Sequence, residues 1–324
     1  MRHLALIIIL IIGVAAPLAA DEPSSPSTPP SPPSFHEWQV WDVTAGQPIA
    51  IEPWLTDLES AHIIYLGEEH RNHWHIEAAL KILHALTSKD LRPTLALEMF
   101  GWDGQSAINR YLSSVPPSRD QFLQESRWEE SWGGPFEEYE PLVDFACEHR
   151  LPLLALNPPR ALVRLVAKQG LWQAKQDERM AQWGMRDEAL SDDAAYRSIV
   201  MDQIRRCHAG LTDDAYQRMY DASLFRDEGM SKIIAEHIRN SRATAGAGPV
   251  LVYTGGGHIQ YRLPVPNRVA RRLGPDSGAR QRTIYLAAYE PNRPEAIQEL
   301  LKGAIADYVW LTPLSAHGPP RRCK

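Results

Sequence analysis

Six runs along the chain are apolar without alternation: "HIIYLG" (62–67), "TLALEMF" (94–100), "LPLLALN" (151–157), "PVLVYTGG" (249–256), "TIYLAAY" (283–289) and "DYVWLT" (307–312). Each is short, rich in β-branched residues or leucine, and bounded by turn signals. Continuous runs of this kind suit strands covered on both faces. Between them, "HIEAALKILHAL" (75–86), "RALVRLVAKQ" (160–169) and "MSKIIAEHIRNS" (230–241) place apolar residues at helical spacing. Strand and helix alternate with long connections, which predicts an α/β fold with a mostly parallel central sheet and helices on both faces. Residues 102–248 hold one strand pattern, and the rest of that stretch is polar and helical. It reads as a helical insertion forming a cap over one edge of the sheet.

The N-terminus departs from this pattern. Arg2 and His3 precede "LALIIILIIGV" and "AAPLAA", the layout of a signal peptide over residues 1–20 with cleavage after Ala20. The apolar run is short for a membrane-spanning helix. Contact with a membrane is therefore expected only during export, or through an uncleaved signal. "DEPSSPSTPPSPPS" (21–34) cannot bury apolar area and reads as an extended linker. A single folded domain is expected over 35–324. No cysteine lies near the cleavage point to carry a lipid, so the expected location is periplasmic or secreted.

Composition narrows the function. Of 324 residues, 44% are hydrophobic and 23% charged, an ordinary globular balance. A mean hydropathy of −0.34 excludes a polytopic membrane protein. A net charge of −6 argues against non-specific nucleic-acid binding, which needs a basic face. Cys147, Cys207 and Cys323 show no CxxC spacing, so a zinc finger and a thioredoxin-type site are excluded. At most one disulfide can form, and pairing of Cys147 with Cys207 is left open.

Candidate chemistry follows from the strand order. Ligands of an open parallel sheet bind beyond the carboxyl ends of its strands. The first run ends in Gly67-Glu68-Glu69-His70, the second carries Glu98, the third ends at Asn157, and the fourth ends in Gly255-Gly256-Gly257-His258. The first and fourth share Gly-x-x-His. About 0.7 such pairs are expected by chance, so position after a buried strand carries the signal rather than the motif. Three readings of Glu68, His70, Glu98 and His258 stand side by side. They could bind a divalent transition metal with an open position for water, as in a hydrolase. Without metal, Glu68 and His70 could act as base and acid. They could also simply hold the strand ends together. His73 and His75 begin the next helix, where a solvated histidine is the ordinary case, and Glu69 is read as facing solvent. Asp227, on the amphipathic "DASLFRDEGMSKIIAEHI" (221–238), either faces the site or is solvated.

The ordered segments "YLGEEHRNHWH", "LALEMF", "RWEESWGGPFEEYEPLVDFACEHRLPLLALNPPRALVRLVAKQGL", "FRDEGMSKIIAEHI" and "TGGGHIQYRLPVPNRVARRL" resemble the ChaN-type domain. This is the haem-binding-uptake branch of the Tiki/TraB/erythromycin-esterase-like superfamily. The resemblance spans roughly residues 40–290. It implies haem binding and iron uptake at the bacterial envelope, with haem held at the interface of a homodimer. The wider superfamily implies paired Gly-x-x-His motifs with glutamates, matched here by Glu68, His70, Glu98 and His258, with Asp227 at an acidic helix position. Its Tiki members imply metal-dependent hydrolysis of a peptide, ester or amide as the alternative. Haem iron accepts His, Tyr or Met, and the candidates near the expected mouth are His73, His75, His258 and Tyr261. No CxxCH is present, which excludes c-type attachment.

Overall fold

All six apolar runs are strands in the computed structural model, which describes residues 34–113, 117–241 and 247–319. In chain order the strands are β1 (Val40–Asp42), β2 (Gln47–Ile49), β3 (Ile63–Glu68), β4 (Arg92–Gly101), β5 (Leu153–Asn157), β6 (Ala247–Gly255), β7 (Gln281–Ala288) and β8 (Tyr308–Thr312). Among the described residues they form one sheet in the order β2-β1-β8-β7-β3-β6-β4-β5. The six expected strands, β3 to β8, pair in parallel. The two unforeseen ones, β1 and β2, run antiparallel beside β8. Three residues each, one pair including Pro48, they are too short to show an apolar period.

Strand alternation sorts the core into two faces. Leu66, Leu97 and Tyr253 face one cluster, packed by Ala79 and Leu83 of helix His73–Thr87 and Leu142 of helix Glu140–Glu148. Tyr65, Ala96 and Val252 face the other, packed by Met230 and Ile234 of the long helix Asp213–Ser241 and by Val265 and Val269 of helix Val265–Leu273. The helices of 102–248 contribute to both faces, since Trp128 and Phe136 join the first cluster. Helix Ala194–Cys207 reaches the ends of the strands, where Gln203 accepts from the side chain of Gln260 at 3.3 Å. It is the part of the insertion that caps the sheet.

Gly229 sits where the long helix meets the turn after β5. A methyl group there would stand 2.3 Å from Pro158 Cγ and 3.0 Å from Trp102. Proline cannot rotate away, so Gly229→Ala is expected to cost about 1–3 kcal/mol, read as a lower urea midpoint. An unchanged midpoint would show that the helix shifts freely. At the far edge of the sheet, the Gln105 side chain donates to Leu153 O and accepts from Ala155 N, both at 2.8 Å, on the outer side of β5.

Cys147 is a free thiol, while Cys207 is disulfide-bonded, so these two do not pair. The expected signal peptide, and all but the last residue of the expected linker, lie outside the described residues.

Candidate functional site

The polar cluster is built in two halves, one on each face of the sheet ends. On the first face, Glu68 is the last residue of β3 and is 4% exposed. Its carboxylate accepts from Tyr253 OH at 2.7 Å and Tyr139 OH at 3.0 Å, and pairs with His70 Nδ1 at 2.7 Å. A carboxylate at Nδ1 fixes the ring's orientation and leaves Nε2 for other partners. Burial opposes protonation of His70, but the Glu68 hydrogen bond and the Glu98 and Glu68 charges outweigh it and raise its pKa. The His70 ring meets Trp132 edge-on, with centroids 4.9 Å apart.

On the second face, Glu98 is fully buried in β4. Its Oε2 accepts from Thr254 Oγ1 at 2.6 Å and Gly255 N–H at 2.7 Å. Its Oε1 pairs with Arg226 and lies 3.4 Å from His258 Nε2. Asn157 orients the arginine, accepting from Arg226 Nε at 3.2 Å while donating to Glu98 O at 2.6 Å. The other nitrogen of His258 is 2.5 Å from Asp227, whose second oxygen accepts from Tyr196 OH at 2.6 Å. Burial works against ionisation of Glu98, yet His258 and Arg226 hold it well below the usual carboxylate range. Burial also opposes charge on His258, but Glu98 and Asp227 lift its pKa to about 9.

The halves meet at Gly255, which pairs with Glu68 in the sheet register. A methyl group at Gly255 would stand 2.9 Å from His70 Cε1 and 3.6 Å from Glu98 Oε2. Only a residue without a side chain lets the two halves approach here.

The raised pKa of His258 gives a stability prediction. The folded state holds this proton more tightly than the unfolded chain, whose imidazole titrates near 6.5. The contribution is therefore complete below about pH 6.5 and is lost as pH rises through about 9. Unfolding free energy is expected to fall by on the order of 2–3 kcal/mol between pH 6.5 and 9.5 in denaturant titrations. Asp227→Asn should shrink that fall and move it to lower pH. A flat profile in the parent protein would remove the imidazolium from the site.

Glu68, His70, Glu98, His258 and Asp227, expected from sequence, are thus brought together. The metal reading, one of the three left open for Glu68, His70, Glu98 and His258, gains no support from their geometry. Among the described residues, no three His, Cys, Asp or Glu side chains are grouped to hold an ion. The physical reason is that Glu68 is engaged by two tyrosines and His70, Glu98 by Arg226, Thr254 and a backbone N–H, and both His258 nitrogens by carboxylates.

The histidines of the next helix separate. His73 is exposed at its first position. His75 is fully buried, accepts from Glu69 N–H at 2.9 Å, and is driven by burial to a pKa of about 3. Through that bond it holds the strand-to-helix turn. Glu69 is half-buried rather than solvated, and burial lifts its pKa to about 7. Tyr261 is 40% exposed, and its hydroxyl makes no hydrogen bond to a described residue.

Sequence reasoning missed Arg226, Tyr139, Tyr253, Thr254 and Tyr196. Strand parity alone could have found Tyr253, since it lies two residues before Gly255 and so shares the face of Glu68.

Comparison with known proteins places the chain in a family. The chain is 22% identical over 284 residues to the protein RETICULATA-RELATED 5, chloroplastic, of Arabidopsis thaliana. The match covers 82% of this chain, but the chain spans only about a third (36%) of that protein's length. The fold matches ChaN of Campylobacter jejuni, a structure solved for cofacial haem binding, with a TM-score of 0.63 and 18% identity over 84% of this chain and 95% of that one. Residues 54–269 match the family described as haem-binding uptake, Tiki superfamily, ChaN, and the chain belongs to that family.

Proposed function

We propose that this protein binds haem through Tyr261 beside the mouth of the sheet, and that it serves haem or iron uptake at the bacterial envelope. The observation that carries this reading is the backbone at Tyr261 and Arg262. Both residues adopt left-handed conformations, with φ of 55° and 60°. Such conformations cost side-chain-bearing residues roughly 1–2 kcal/mol each and persist where the surroundings enforce them. Here Tyr261 N–H donates to Ile305 O at 2.6 Å, and Arg262 pairs with Asp307 at 2.7 Å. The turn presents an exposed phenol whose hydroxyl has no hydrogen-bond partner among the described residues, a donor type that haem iron accepts. His258 is less suited to that role because both of its nitrogens are engaged by carboxylates.

Haem titration of the purified protein, followed optically, tests the reading. A saturable Soret band is expected, and titration without one would end it. A ligand face shared by two copies belongs to the same proposal, and haem-dependent dimerisation in sedimentation would support it.

One observation favours a second reading, metal-free hydrolysis of an ester, amide or peptide. His70 Nδ1 is held by Glu68, and Nε2 has no hydrogen-bond partner among the described residues. In this reading, His70 Nε2 would take a proton from water attacking a carbonyl, and the charge of Arg226 would stabilise the developing oxyanion. A p-nitrophenyl ester assay decides it: turnover lost in His70→Ala would support the reading, and turnover unaffected by that change would dismiss it.

A further inference from the structure

Helix Arg160–Gln169 buries Leu162, Leu165 and Val166 and leaves three cations exposed. Arg160, Arg164 and Lys168 follow one another at four-residue intervals. They therefore fan over about 80° of the helix surface, opposite the buried residues, and along about 12 Å of its length. None of the three forms an ion pair with a described residue. Other exposed arginines, such as Arg110 and Arg119, are paired with glutamates. The stretch "PPRALVRLVAKQGLWQAKQ" (158–176) holds four cations and no Asp or Glu, in a chain whose net charge is −6. Two carboxylates border the face, and both are engaged. Asp221 accepts from Leu171 N–H at 2.9 Å and from Gln217 Nε2 at 2.7 Å. Glu130, whose backbone carbonyl accepts from Arg160, pairs with Arg127.

Just beyond Lys168, the short helix Leu171–Ala174 carries Trp172, which is 80% exposed, twice the figure for Tyr261. A single apolar residue at a surface is ordinary, but tryptophan is usually well buried. Its indole N–H has no partner among the described residues. The helix that presents it is fixed to the domain. Leu171 packs against the cluster around Phe225, and its N–H is held by Asp221. An unpaired cationic stripe and a projecting indole thus lie side by side on one rigid part of the insertion.

We propose that this face docks the protein on an anionic phospholipid bilayer, with the cationic stripe against the headgroups and Trp172 in the interface. Each half of the surface matches one property of such a bilayer. Anionic headgroups attract Lys and Arg held near the membrane. Indoles settle between headgroups and acyl chains, with the apolar ring inward and the N–H toward the polar side. A nucleic acid calls for a basic protein, and the net charge of this chain opposes it. The contact is peripheral and separate from the export-time contact expected of the N-terminus. It does not depend on haem binding, and either reading can fail without the other.

The test follows tryptophan fluorescence of the full chain as it is titrated with vesicles whose acyl chains carry bromine, a contact quencher. Phosphatidylcholine vesicles with about one-third phosphatidylglycerol are compared with phosphatidylcholine alone. Only the difference is scored, because the N-terminal apolar run meets both alike. Quenching that depends on phosphatidylglycerol is expected, with the apparent affinity falling at least fivefold between about 0.05 and 0.5 M salt. Arg164→Gln combined with Lys168→Gln should weaken binding at least tenfold. Trp172→Phe should remove most of the quenching while co-sedimentation with the vesicles persists. All three positions are exposed, so the urea midpoint should stay unchanged and a lost signal reports the surface. Absence of phosphatidylglycerol-dependent quenching would overturn the proposal. So would quenching that survives the double variant or Trp172→Phe, and so would tighter salt-sensitive binding to duplex DNA than to the vesicles.

Discussion

Tyr261→Phe is expected to lower haem affinity at least tenfold and to move the Soret maximum, while leaving the urea midpoint unchanged. Phenylalanine keeps the ring and meets the same backbone geometry. The lost hydroxyl makes no hydrogen bond to a described residue, so folding has little to lose. A tenfold change corresponds to about 1.4 kcal/mol, a modest figure for removing a direct iron ligand. His70→Ala is the matched control and should leave haem affinity intact. The reverse pattern would transfer the iron to His70, whose Nδ1 is already held by Glu68. Loss in neither variant would leave the strained turn without a role in haem binding.

Glu98→Ala is expected to cost about 3–5 kcal/mol of folding stability, the range for removing one partner of a buried charge pair. The reason is what remains behind. Arg226, the His258 imidazolium, the Thr254 hydroxyl and Gly255 N–H all lose the acceptor that fully buried Glu98 gives them, and of these only Arg226 keeps substantial contact with solvent. Glu98→Gln keeps an acceptor oxygen but not the charge, and should fall between parent and alanine variant. Chemical denaturation measures both. A loss under about 1 kcal/mol in the alanine variant would mean that water or a nearby group replaces the carboxylate, and the electrostatic account of this half of the site would fail.

The legible part of this protein was its apolar skeleton. Strands β3 to β8 are covered on both faces, so each left an uninterrupted run, and the chemistry at their ends could be lined up from strand order alone. The helix Arg160–Gln169 was readable to the residue because its buried Leu162, Leu165 and Val166 keep a clean period. The long helix was read only from residue 221 onward, because the stretch back to its start at Asp213 is rich in polar residues and tyrosines. The metal reading, one of three that the strand ends left open, gains no support for a reason that spacing cannot reveal. Arg226 and the tyrosines that occupy the carboxylates come from a helix, a strand interior and a loop, with no motif linking them. Membership of a polar cluster was readable, but the assignment of each oxygen to a partner was not.

The side-chain amide of Gln105 on the outside of β5 has a consequence for assembly. It occupies the ladder positions that an incoming strand would use at that end of the sheet. At the other end, β2 offers three residues, and its central Pro48 has no N–H to give. Both margins of the sheet are thereby closed to strand addition, the usual route to fibrous aggregates. Two copies of this protein that associate would have to meet through helices and loops, which leaves each sheet whole.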